Sequence, residues 1–179
     1  KDISLAAWFM TAAVLGGALG QWPLGWWSDR VDRRWVIVSA ATSGVFVGLM
    51  IWWSFEGTST LSLMIFSAAW GAVAFPIYAV SVAHANDYAR PDEYVMISSC
   101  LLLMYGVGAI LGPFVAPAVM KFAGPGGLYL FAALVHLALL VYIVLRIKIR
   151  DPAPELEHTP FTDALASTQT ASHVFEDEI

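Results

Sequence analysis

The stretch Gly25-Trp26-Trp27-Ser28-Asp29-Arg30-Val31-Asp32-Arg33-Arg34 decides how this chain is read. Five of its last six residues are charged, yet residues 3–27 before it and 35–55 after it contain no Lys, Arg, Asp or Glu. The same sweep of charge recurs at 57–83, 94–120 and 122–145. Each uncharged block is as long as the ~20 residues a helix needs to cross ~30 Å of hydrocarbon.

Composition agrees: 59% of the 179 residues are hydrophobic, 13% are charged, and the mean hydropathy is +0.69. Five such blocks in so short a chain leave no soluble remainder to bury them. Strands of a lipid-embedded barrel would alternate polar and apolar residues, and these blocks do not. The expectation is an all-α integral membrane protein with five transmembrane helices over residues 1–150. Residues 151–179, with three prolines, seven acidic residues and no Lys or Arg, read as an acidic disordered tail. Cys100, the single cysteine, lies inside an uncharged block and reads as a small packing residue. The chain starts at Lys1 with no signal-peptide pattern, which reads as the C-terminal piece of a longer polypeptide.

Within the first block Gly16 and Gly20 lie four residues apart, a spacing that lets a neighbouring helix approach closely; Gly44/Gly48 and Gly108/Gly112 repeat it. Trp35 at one end of the second block, with Trp52 and Trp53 at the other, fits two interfacial belts. Pro76 is expected to kink the third block, and Pro113 and Pro117 fall in the fourth. Alternate connections collect seven basic residues (Arg30, Arg33, Arg34, Arg90, Arg146, Lys148, Arg150) against two (Lys1, Lys121). The positive-inside rule then places the 28–34 turn, the 84–93 connection and the tail in the cytoplasm.

Two readings of the charged turn stand. Arg30, Arg33 and Arg34 serve as headgroup anchors, or the interspersed Asp29 and Asp32 make specific pairs with them or with a helix N-terminus. Gly25-x-x-Ser28-Asp29-Arg30-x-x-Arg33-Arg34 resembles the signature turn of the major facilitator superfamily, with Trp27 and Asp32 departing from its usual pattern. Gly20-Gln21-Trp22-Pro23-Leu24-Gly25 and Tyr105-x-x-Gly108-x-x-x-Gly112-Pro113 look like the YcaD-type branch of bacterial permeases.

The resemblance implies helices 8–12 of a twelve-helix fold, lacking an N-terminal half, and a secondary transporter that moves a small solute by alternating access. It implies a gating turn made of Gly25, Asp29, Arg30, Arg33 and Arg34, in which Asp29 pairs with an Arg and faces a helix end of the other half. It also implies cavity candidates: Ser67, Trp70 and Tyr78 at helical spacing on the third span with Gly71 and Ala74, and Gln21 and Tyr105 on the first and fourth. Packing against a neighbouring helix is the competing reading for each of these. His84, Asn86 and Asp87 read as solvated loop residues, with a proton-handling pair as the alternative, and His136 as a hydrogen-bonded neutral histidine. No paired carboxylates at depth, His-Glu-x-x-His or metal spacing is present, so no enzyme, metal or cofactor is expected. Nor is nucleic-acid binding. A membrane scaffold whose acidic tail recruits a partner is the rival function.

Overall fold

The computed structural model describes residues 3–90, 93–149 and 160–162, and every regular element among them is an α-helix. They are α1 (Ile3–Ser28), α2 (Arg33–Ser54), α3 (Thr60–Ala74), α4 (Pro76–Asn86), α5 (Tyr94–Ala123) and α6 (Gly127–Ile149). The boundaries have local causes. Asp32 caps α2 and Ser59 caps α3, each accepting a backbone N–H from the first turn. Gly124, at φ +76°, ends α5 in a conformation that side chains disfavour. Pro76 divides the third block at Phe75, which keeps helical dihedrals, so α3 and α4 run on as one helical stretch of 27 residues.

Four stretches are long and apolar enough to cross a membrane among the described residues: Arg33–Ser54, Thr60–Asn86, Tyr94–Ala123 and Gly127–Ile149. The fifth expected span is α1, a 26-residue helix with no Lys, Arg, Asp or Glu, long enough to cross the hydrocarbon.

Helix α1 lies along α3, α2 lies along α6 and also touches α3 and α4, and α5 rests on α6 and α4. Small residues set the α1–α3 contact. A Cβ at Gly16 would run into the backbone of Ala68, one at Gly20 into that of Ala72, and one at Gly71 into that of Ala13. Gly44 and Gly48 admit His136 and Ala133 of α6 to α2 in the same way. The third glycine pair, Gly108/Gly112 on α5, meets no neighbour among the described residues.

Burial is inverted relative to a water-soluble domain. Ser28, Arg33, Arg34, Asn86 and Asp87 are buried together, while Leu19, Trp22, Trp53, Phe114 and Phe122 each expose more than three quarters of their surface. Of the 30 residues of α5, those buried among the described residues are Ser98 and Ala116. An exposed apolar surface of this extent is stable against lipid, not water.

Candidate functional site at the charged turn

The turn between α1 and α2 is held by its own side chains. Ser28 Oγ donates to the Gly25 carbonyl at 2.9 Å, and the Asp29 N–H donates to the same carbonyl at 3.1 Å, closing the last turn of α1. Arg30 folds back along α1: its Nη1 donates to the Trp26 carbonyl at 2.9 Å and its guanidinium lies 3.9 Å above the Trp26 ring. Arg34 grips Asp32 with Nε at 3.1 and 2.9 Å and Nη2 at 2.7 Å, while Asp32 Oδ1 also accepts the Arg34 N–H at 3.0 Å. Partial burial alone would raise the Asp32 pKa; the hydrogen bonds and charge of Arg34 outweigh it and hold the carboxyl below the usual aspartate range.

This fixes a sign. A carboxyl with a lowered folded pKa stabilises the fold above its unfolded pKa of ~3.9 and loses that contribution as pH falls through the folded value. Asp32→Ala is therefore expected to cost about 1 kcal/mol at neutral pH. The gap to wild type should close on acidification below the aspartate range, as read by thermal unfolding in detergent across pH.

Arg33 joins the turn to the rest of the bundle. Its Nε lies 2.9 Å from Asp87 Oδ2, and its Nη2 lies 3.4 Å from Asp29 Oδ1. The side chains of Arg33 and Asp87 are 1% and 2% exposed, whereas that of Asp29 is 34% exposed. A cation is thus clamped between a sunken carboxylate and a half-open one. Asn86 is buried beside them, and neither atom of its amide has a hydrogen-bond partner among the described residues.

Asn86 and Asp87 are not the solvated loop residues expected from sequence. Helix α4 continues to Asn86 and carries both to the start of α2. The signal was an acid at a helix C-terminus, where the helix dipole disfavours it unless a cation is near. Asp29 has one more partner that sequence reading missed: the Phe161 N–H donates to its Oδ1 at 2.9 Å. The rest of the expected tail, 151–159 and 163–179, lies outside the described residues.

Gly25, Asp29 and Arg33 are therefore brought together, and Arg30 and Arg34 take partners of their own. The cavity candidates divide. Tyr78 of α4 and Tyr105 of α5 meet with ring centroids 5.4 Å apart. Trp70 stands edge-on to Phe75, Tyr129 and His136, beside an apolar cavity of about 500 Å³ lined by Phe9, Leu63 and Phe55. Ser67 is fully buried between α3 and α1, where its hydroxyl donates to the Phe9 carbonyl at 2.8 Å. Gln21 is half-buried on α1. His136 Nδ1 lies 2.7 Å from the Ala132 carbonyl. Among the described residues no cluster of His, Cys, Asp and Glu could hold a metal.

Residues 2–178 match the Major Facilitator Superfamily. The chain is 29% identical over 154 residues to the MFS-type transporter YE1530 of Yersinia enterocolitica, covering 86% of this chain and 37% of that protein. It is 29% identical to Ent638_1421 of Enterobacter sp., over 86% of this chain and 38% of that protein. It is 30% identical to the MFS-type transporter YcaD of Shigella flexneri, over 80% of this chain and 36% of that protein. No solved structure matches. The chain spans a little over a third of the length of these relatives, and over that span it belongs to the major facilitator superfamily.

Proposed function

We propose that the chain is the C-terminal part of a secondary transporter of the bacterial inner membrane, moving a small solute by alternating access. The turn at 25–34 is its conformational latch on the cytoplasmic face. The observation that carries this reading is the Asp29–Arg33–Asp87 chain, in which one member of a buried charge cluster stays half open. Asp87 fixes Arg33; Arg33 holds Asp29 at the surface of the bundle, where its remaining charge attracts the N-terminal end of a helix from the other half. Forming and breaking that contact biases the two end states. An exposed pair is worth ~0–1 kcal/mol and a buried one far more when broken. The latch thus acts when closure of the two halves desolvates Asp29.

The family is one of transporters, not enzymes, and the solute site falls to the helix faces already named. Tyr78 and Tyr105, paired across α4 and α5, present two phenol rings that can stack on or hydrogen-bond a solute. Seven basic residues against two on alternate connections support the cytoplasmic placement of the turn and tail.

The test is Asp29→Asn in the complete protein. Uptake into cells or vesicles is expected to fall by roughly tenfold, the equivalent of ~1.4 kcal/mol of lost bias, while the amount of protein inserted in the membrane stays unchanged. Wild-type uptake in that variant would leave the turn as a headgroup anchor.

A further inference from the structure

Residue 161 lies 132 positions from Asp29 in sequence and reaches it in space. The Phe161 ring is 5% exposed and belongs to the cluster of Val36, Ile37, Val80 and Ile143, where α2, α4 and α6 meet. It lies flush on Gly25, where any Cβ would collide with ring atoms. Pro160 and Thr162 on either side are exposed. One aromatic side chain has thus gone in, with its own N–H on the carboxylate one helical turn along the same face of α1.

We propose that residues 160–162 are a built-in ligand of the charged turn, a plug that competes with the other half of the transporter for Asp29 and so holds the latch open. The seat stands on the contacts just described; the competition rests in addition on the latch reading. A latch needs a backbone N–H presented to Asp29 by a helix end, and Phe161 already presents one, to the same oxygen that faces Arg33. A carboxylate so engaged has less charge to offer a second donor. The ring over Gly25 also occupies the surface on which an incoming helix would rest.

The short connection to α6 favours return of the plug. Eleven residues separate Ile149, the end of α6, from Phe161. A segment joined to its seat through so few residues meets it far more often than a separate molecule would, so even a weak contact is well occupied.

Hydrogen exchange read by mass spectrometry on the complete protein in lipid nanodiscs tests both parts. In wild type the peptide around 158–166 is expected to exchange about tenfold or more slowly than in Gly25→Ala or Asp29→Ala, which remove the seat and the acceptor. In Phe161→Ala, the 25–34 peptide is expected to exchange about threefold or more slowly than in wild type, because the other half takes over the turn. Free-chain exchange of 158–166 in wild type would remove the seat, and with it the proposal. Unchanged or faster exchange of 25–34 in Phe161→Ala would mean that the tail does not compete, and would overturn the plug. If Asp29→Asn transports normally while 158–166 stays protected, the latch is what has failed: the tail is then a docked strap.

Discussion

Asp87→Ala is expected to be the most damaging single polar substitution in the bundle, lowering its stability by about 3–5 kcal/mol. The reason is what remains behind. Arg33 is a cation only 1% exposed. Without the carboxylate at 2.9 Å its nearest carboxylate is Asp29 at 3.4 Å, and that one is shared with the Phe161 N–H. A desolvated cation then loses the closer of its two carboxylates. Asp87→Asn should cost less than Asp87→Ala, since an amide oxygen still turns a partial negative charge toward the guanidinium. The double variant Arg33→Met/Asp87→Ala should recover much of the loss, because a buried ion pair roughly breaks even against apolar groups of the same shape. Thermal unfolding of the complete protein in detergent would follow all three. An Asp87→Ala variant within about 1 kcal/mol of wild type would place the pair in water, where such pairs are weak.

That Asp87 was read as a solvated residue, while the five apolar blocks were read as helices, has one cause. Charge exclusion over 21 or more positions is a long-range signal that lipid alone demands, so the blocks became helices where expected. The position of one acid relative to a helix end is a local matter decided within a single turn. A helix ending near Ala83 leaves Asp87 in solvent, whereas α4 runs to Asn86 and delivers it to Arg33. Ser67 illustrates a second limit. Helical spacing put it on one face with Gly71 and Ala74, but spacing does not say whether that face meets a cavity or another helix. The glycines of α1 held the answer, since Gly16 and Gly20 need small partners four apart, and Ala68 and Ala72 provide them. Phe161 had no periodicity to betray it: one of two phenylalanines in a stretch of acids and prolines reads as tail until its seat on Gly25 is seen.

Gly71→Val should be the most damaging apolar change. The added Cβ would meet the carbonyl oxygen, carbonyl carbon and Cα of Ala13. These are backbone atoms and cannot rotate aside, so α1 and α3 must separate. Overpacking of this kind costs about 1–3 kcal/mol, and the separation also strains the Ser67 hydroxyl's bond to the Phe9 carbonyl, worth ~1 kcal/mol. Lipid tails solvate an apolar helix as well as another helix does, so no hydrophobic term draws the two together again. Close packing is what holds them, and the substitution removes it along the whole face that Gly16 and Gly20 share. Gly57→Ala, in an exposed turn with nothing within 4 Å of its Cβ position, is the control and should stay within ~0.5 kcal/mol of wild type. Unfolding temperature and retention of the folded, monodisperse species in detergent would read both variants. Should Gly71→Val match the control, the α1–α3 contact is not tight in the membrane, and the small-residue stripe in this chain marks nothing more than composition.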